Sequence, residues 1–573
     1  MKLIFKLSIL ITLFFYGCQT QDKTADFKKM VWLAGTWQGE ADGQPFFEHW
    51  ELAGPTEFEN INFSLCNGDT IVNNHSKIEI RKNKIHYTSG DLVWELKLLT
   101  DSQIVFENSK YDEQFTFTHT NQGQWNAVLK YPKTSVEYNL SKTKTIKELL
   151  TDSFQPIEGN YAGHVEYNGK KLFTSIHFFS QNGKQEATVS TPASLQLNQP
   201  FRSVCVNLPF VKLALQDGTK LLELNGKFEN EVITGNVSGE IPATLYLEKT
   251  ESKAETKNYR IEPVAVQNGT VVLSANLFIP VSSTPVSAVI MICGSGKHIK
   301  EEYNGWADLL ASKGIAVLTY DKRNVTDFPE LNIRQKTSDI VLPGELESDV
   351  QAAVELLKKR KDINPHKIGL LGFSQGAVIA PIVAAGNSDI AFLVAISGNT
   401  TTDKEFIIYQ TLNRLKARNI SPEQVNKTEK LLNALFQYVK DRKNGSNLQD
   451  ELDKAYETGN GQYGLPRHLP NDDEIKYLST WNSFEHDPAK YWSRLTIPCY
   501  VVYGELDQLI PVERSVVILN NIFSAKQSLL TLKVYKGADH FIKSIPDRSN
   551  FDFPKFAGGY IEDMANWILQ NGK

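Results

Sequence analysis

Cysteine is scarce in this chain: five among 573 residues, at positions 18, 66, 205, 293 and 499, with no Cys-x-x-Cys pair. That spacing excludes a small disulfide-stapled domain and a thiolate metal knuckle, and reads most of the last four thiols as small buried hydrophobes. The eleven histidines form no cluster with Cys or Asp at metal-ligand spacing, so neither a metal nor another cofactor is expected. A basic surplus is missing as well. With 61 Lys and Arg against 66 Asp and Glu, the net charge is -5, and nucleic acid is not an expected partner. Beyond the first twenty residues no uncharged apolar run approaches about 18 residues, the length a membrane-spanning helix needs. Helical periodicity is absent between residue 27 and about residue 145.

What is present begins with MKLIFKLSILITLFFYGCQT: lysines, an apolar run too short to span a bilayer as a mature helix, a small residue and Cys18. This pattern is an export signal. Gly17-Cys18 resembles the lipobox of bacterial lipoproteins, although Phe15 and Tyr16 are bulkier than its usual Leu-Ala. The resemblance implies a signal peptide over residues 1–18, lipidation of Cys18, and a membrane-anchored protein of the bacterial cell envelope, on its periplasmic or outer-membrane face. Simple secretion is the alternative.

At this length the chain must divide into several domains. Residues 27–145 alternate apolar and polar residues between turns, as in "HSKIEIRKNKIHYTSGDLVWELKLL" with its Arg-Lys-Asn-Lys turn, and residues 153–250 do the same in "KLFTSIHFF" and "KLLELNGKFENEVITGNVSG". The blocks open alike, with Gly35-Thr36-Trp37-Gln38-Gly39 and Gly159-Asn160-Tyr161-Ala162-Gly163. Two related all-β, barrel-like modules are expected, as small antiparallel barrels or curved sheets. The first resembles small calycin-like barrel domains through "WLAGTWQG", "FFEHWE" and "IVFENSKYDEQF", which implies an interior able to hold an apolar ligand. Trp32, Trp37 and Trp50 are assigned to its packed core.

From residue 258 to 573 strands alternate with helices: "SAVIMIC", "NGWADLLASKG", "IAVLTYD" and "ELESDVQAAVELLKKRKD", the last with Val350, Val354 and Leu357 on one face. That order predicts a doubly wound, mainly parallel sheet with ligands at the carboxyl ends of its strands. In "KIGLLGFSQGAVIA" an apolar strand runs into Gly372-Phe373-Ser374-Gln375-Gly376 and then into helix-forming residues. A strand that reverses so tightly into a helix strains its central residue and thrusts the Ser374 hydroxyl outward.

A serine hydroxyl is a weak nucleophile and needs an imidazole to take its proton and a carboxylate to orient that imidazole. "CYVVYGELDQLIP" supplies Asp507 and "LTLKVYKGADHFI" supplies His540, each in a loop after a strand, in the chain order Ser, Asp, His. Glu505 on the same loop is the competing acid. Oxyanion donors are expected from the Gln375 N–H and from Ser295 in "MICGSGKH". Cys293 is a remote rival nucleophile, and Lys322 with Arg323 reads as a structural ion-pair site sooner than a substrate anchor.

Residues 258–573 thus resemble the serine α/β-hydrolases of the exported esterase group, related in fold to prolyl-oligopeptidase-type peptidases. "CGSG", "YDKRN", "DINPHKIGLLGFSQG", "GELDQLIP" and "GADH" carry the resemblance, with Cys293 and Asn324 replacing the family's His and Gly. It implies a carboxylic ester hydrolase that works through an acyl-enzyme on a small-molecule ester. A peptidase, thioesterase or acyltransferase on the same fold is the alternative, as is a ligand-binding lipoprotein with a residual hydrolase domain. Residues 401–495, with "KEFIIYQTLNRLKARN" and "VNKTEKLLNALFQYVKDRK", interrupt the alternation as a helical cap. Tyr463, Trp481 and Trp492 belong either to its pocket lining or to its packing.

Overall fold

A computed structural model describes residues 23–572 apart from 42, 109, 122, 153–154, 218–219, 239–241, 252–256, 324–343, 459–463, 478 and 545–551. Cys18, Asn324 and Tyr463 therefore lie outside the described residues. The chain divides into two compact units, one of residues 1–157, 205–212 and 225–228 and one of residues 158–204, 213–224 and 229–573.

In the first unit ten antiparallel strands, from Gly35–Ala41 to Ser135–Lys142, close into a barrel. Alternation does the work. Residues facing inward, among them Trp37, Trp50, Phe58, Ile78, Phe106, Phe117 and Trp125, form one buried cluster, and most of their neighbours along the strands are half-buried or exposed. Each large side chain so buried contributes roughly 1.5–3 kcal/mol. Trp37 and Trp50 are each 2 % exposed; Trp32 packs against the same cluster and stacks on His119 at 5.1 Å. The Arg-Lys-Asn-Lys turn forms a two-residue hairpin, with Lys82 and Asn83 at φ of 50° and 62° between the paired Arg81 and Lys84. Both centres in the left-handed region match the twist of the flanking strands.

The second β block is a nine-stranded antiparallel sheet running in sequence from Gly159–Tyr167 to Ala243–Thr250. Among the described residues it is an open sheet and not a closed barrel, one of the two forms that its pattern allows. Tyr161, the aromatic of the second Gly-x-aromatic-x-Gly, is 1 % exposed, as Trp37 is buried in the first.

An eight-stranded sheet follows. Its strands are β1 (Tyr259–Asn268), β2 (Val271–Pro280), β3 (Val286–Ile292), β4 (Ala316–Tyr320), β5 (Ile363–Phe373), β6 (Ile390–Ile396), β7 (Cys499–Gly504) and β8 (Leu530–Tyr535). They lie in the order β1-β2-β4-β3-β5-β6-β7-β8. From β4 to β8 every pairing is parallel, and β2 is antiparallel to both β1 and β4. This is the topology of the α/β-hydrolase fold. Parallel strands covered on both faces read as unbroken apolar runs, and β4 and β7 are buried at every position. Successive residues of β3 divide between two cores: Ala288, Ile290 and Ile292 face one, Val289 and Met291 the other.

Helices α1 (Asn304–Ser312), α2 (Glu345–Lys358) and α3 (Gln375–Gly386) connect the first half of this sheet. Val350, Ala353, Val354 and Leu357 of α2 join Ala377 and Ile379 of α3 on one face, and Trp306 and Leu310 of α1 pack on the other. Between β6 and β7 the chain leaves the sheet as α4 (Asp403–Ala417), α5 (Pro422–Asp441) and α6 (Gly445–Glu457). A capping box of Thr402 and Glu405 starts α4, and the Ser421 hydroxyl with Pro422 starts α5. These helices hold their own core of Leu431, Leu435, Phe436, Leu452 and Trp481. Trp481 thus packs inside the cap, whereas Trp492 belongs to the core of the main sheet, 1 % exposed.

Candidate active site

The nucleophile candidate sits where β5 turns into α3. Ser374 has φ 50° and ψ -110°, a left-handed backbone for a residue with a side chain, and such strain persists only where the surroundings enforce it. They do so through two glycines. A methyl group on Gly372 would overlap the Gly376 carbonyl, and one on Gly376 would overlap the carbonyl of Ile292 at the end of β3. Only bare backbone fits, and the Ser374 N–H is held by the Ile396 carbonyl of β6 at 2.8 Å.

The acid and the imidazole come from the next two strand ends. Asp507 follows β7, its side chain fully enclosed. Its Oδ1 accepts the N–H groups of Leu509 (2.8 Å) and Ile510 (3.0 Å), which leaves Oδ2 for His540 Nδ1 at 2.8 Å. A carboxylate fixed on one side by two backbone donors points its other oxygen in one direction, so the imidazole is oriented rather than merely attracted. Glu505 does something else. It is exposed, and its Oε2 accepts the Gly537 N–H at 2.8 Å, tying down the turn that precedes the histidine loop.

Two residues at the end of β6 hold Ser374 and the His540 loop. Ile396 carries the Ser374 backbone, and the next residue, Ser397, donates its hydroxyl to the His540 carbonyl at 2.7 Å. No hydrogen bond joins the Ser374 hydroxyl to the His540 ring in this structure; in unliganded hydrolases that bond is commonly long and tightens when substrate is bound. The cap reaches the same place, since Tyr409 of α4 donates to the Asp507 carbonyl at 3.2 Å and Asn413 to that of Gln508 at 3.0 Å.

The loop after β3 lies against Ser374. A methyl group placed on Gly294 would stand 3.6 Å from Ser374 Cβ and 3.9 Å from His298 Nε2. Ser295 is exposed on that loop, and Gln375 opens α3 beside it. His298, which its sequence context did not single out, bridges the Ser295 carbonyl (2.9 Å) and the Glu302 carboxylate (2.6 Å). Cys293 is buried, and that burial pushes its thiol up to about 11, far from a reactive thiolate at neutral pH.

Lys322 and Arg323 part company. Arg323 makes the expected ion pair, a two-bond fork onto Asp349 at 2.7 Å for each bond, with Glu345 at 2.6 Å. Lys322 instead donates to two neutral acceptors, the Gly294 carbonyl at 2.8 Å and Gln375 Oε1 at 2.7 Å.

Residues 350–460 match a family model described as the C-terminal domain of BAAT and acyl-CoA thioester hydrolases. No curated protein matches the chain. Among solved structures, a 2,6-dihydroxy-pseudo-oxynicotine hydrolase is 20 % identical, over 54 % of this chain and 67 % of that one, with a TM-score of 0.33. A dienelactone hydrolase from Anabaena variabilis is 16 % identical over 55 % and 96 % of the two chains, with a TM-score of 0.31. An esterase of Pyrococcus furiosus is 16 % identical over 55 % and 90 %, with a TM-score of 0.33. At these identities and scores the three bear on neither the reaction nor the substrate of this chain.

Proposed function

We propose that the chain is a serine hydrolase that cleaves carboxylic esters through an acyl-enzyme. The observation that carries this reading is the Asp507–His540 pair, 2.8 Å apart on consecutive strand-end loops, tied through the Ser397 hydroxyl and the neighbouring Ile396 carbonyl to a serine at φ 50°. In the reaction, Ser374 Oγ attacks the ester carbonyl as His540 Nε2 takes its proton. Asp507 Oδ2 holds Nδ1–H and stabilises the imidazolium that forms. The carbonyl oxygen becomes an oxyanion, received by the N–H groups of Gln375 and Ser295, each such donor being worth about a hundredfold or more in rate. Collapse expels the alcohol, which takes the proton from His540, and water repeats the sequence in reverse to release the acid.

A thioester is the second substrate class favoured by a specific observation, the match of residues 350–460 to a thioester hydrolase domain. The leaving group is then a thiol and the machinery is unchanged. Turnover of 4-nitrophenyl butyrate and of butyryl-CoA, for the wild type and Ser374→Ala, tests both readings. Loss of at least about a thousandfold in the variant is expected; equal turnover by the two proteins rejects both. Export and lipidation of Cys18 place this activity in the cell envelope in our reading, and incorporation of a fatty-acid label that disappears in Cys18→Ser is the expected result.

A further inference from the structure

Among the described residues, Lys322 is a buried cation at the site that the mechanism above does not use. It is 6 % exposed, and among the described residues no carboxylate pairs with it. Its ammonium meets only a backbone carbonyl and a side-chain amide. Burial draws its pKa below the ordinary lysine value, which is the cost of holding a charge there without a counter-ion. A purely structural position would be filled more cheaply by an apolar side chain.

The identity of the two acceptors explains the choice. The Gly294 carbonyl belongs to the same planar peptide unit as the Ser295 N–H. In a trans peptide the C=O and N–H point in opposite directions, so fixing the oxygen fixes where the hydrogen points. The other acceptor, Gln375 Oε1, is the side chain of the residue whose backbone N–H is the second oxyanion donor. Lys322 Nζ therefore spans the two halves of the oxyanion hole, one on the loop after β3 and one at the start of α3. The same loop is held twice more. The Lys322 N–H donates to the His298 carbonyl at 3.0 Å, and the His298 ring fixes the next peptide plane through the Ser295 carbonyl.

We propose that Lys322 is the positioning residue of the oxyanion hole, clamping the Gly294 carbonyl to the Gln375 side chain so that the Ser295 and Gln375 N–H groups converge on one point. The proposal rests on the reading of Ser374 as nucleophile. It gives Lys322 no contact with substrate: the residue acts through the two donors it aligns.

The test is a double-mutant cycle of Lys322→Met and Gln375→Met, the second of which removes Oε1 and keeps the backbone N–H. Rates are measured with 4-nitrophenyl butyrate and divided by the number of sites that a fluorophosphonate titrates at Ser374. Lys322→Met is expected to lower kcat per titrated site by about ten- to a hundredfold, less than outright removal of a donor, with KM changed less than about threefold. Gln375→Met is expected to cost several-fold alone and nothing further in the Lys322→Met background, because the two share one clamp. Lys322→Arg, which keeps two donors, is expected to recover part of the loss. A loss explained wholly by fewer titratable sites overturns the proposal, as do multiplicative effects of the two substitutions. Should Lys322→Met fail to fold, Gln375→Met carries the test alone, and an unchanged kcat overturns the clamp. A wild type that no fluorophosphonate labels at Ser374 overturns the nucleophile reading itself, a result seen before any variant is compared.

Discussion

Asp507 and Glu505 stand two residues apart on one loop, yet only Asp507 reaches the imidazole, because the N–H groups of Leu509 and Ile510 hold one of its oxygens and aim the other. Asp507→Asn is therefore expected to lower kcat by about ten-thousandfold, the loss typical when the orienting carboxylate is neutralised. Glu505→Gln, which disturbs only the Gly537 turn, is expected to leave kcat within about threefold. Ester turnover by both variants checks this, and the reverse ranking would reassign the acid. The residues favoured Asp507 and left Glu505 as its competitor, since both carboxylates fit the motif; the geometry that separates the two was not legible. It depends on where a particular turn points its backbone donors, and residue type does not encode that. Lys322 and Arg323 show the same limit. Neighbours at a strand end project to opposite sides, so Arg323 met the acids of α2 while Lys322 turned to the loop after β3.

At the scale of elements, the turn from β5 into α3 was readable because the requirement is local. An apolar run, two glycines flanking a serine and a helix-forming sequence leave one geometry in which all three fit. Gly376→Ala places a methyl group against the Ile292 carbonyl and is expected to abolish fluorophosphonate labelling of Ser374, since β3 and α3 must move apart; full labelling of that variant would contradict the packing. The Lys82-Asn83 hairpin was local in the same sense. Closure was not: the alternation in residues 153–250 matches that in residues 27–145, and only the pairing of first with last strand, a long-range matter, separates an open sheet from a barrel.

The barrel carries a further measurable feature in Glu48. Its carboxylate is enclosed by Trp50, Asn60 and Asn62, although the residue as a whole is half-buried, and desolvation raises its pKa from 4.5 to about 7. The folded state thus keeps a proton that the unfolded chain has lost. Stability from this group is complete below about pH 4.5, declines as the pH rises to about 7, and stays reduced above it, by on the order of 3 kcal/mol. Urea unfolding of the full chain followed by tryptophan fluorescence at pH 5 and pH 8 checks the sign. Glu48→Gln is expected to gain stability relative to wild type between the two pH values, and an unchanged difference would contradict the burial argument.

Over the whole molecule, the succession of two β blocks and an α/β region with a helical insertion follows from a change of periodicity near residue 258. The compact units, however, divide the second block between them, and no compositional boundary marks that division. The site draws on residues from 293 to 540, and what unites them is the fixed rule that such sheets present function at the carboxyl ends of their strands. That rule singled out Ser374, Asp507 and His540 as candidates, and the same distance in sequence hid Ser397 and His298, which bond to their surroundings. The claim on which the rest depends is that Ser374 is a nucleophile activated by His540. Its most direct measurement is intact mass and peptide mapping of the full chain after fluorophosphonate treatment. One adduct per chain, on Ser374 and absent from His540→Ala, is the predicted result; an unmodified Ser374, or labelling that persists without the imidazole, would contradict the account.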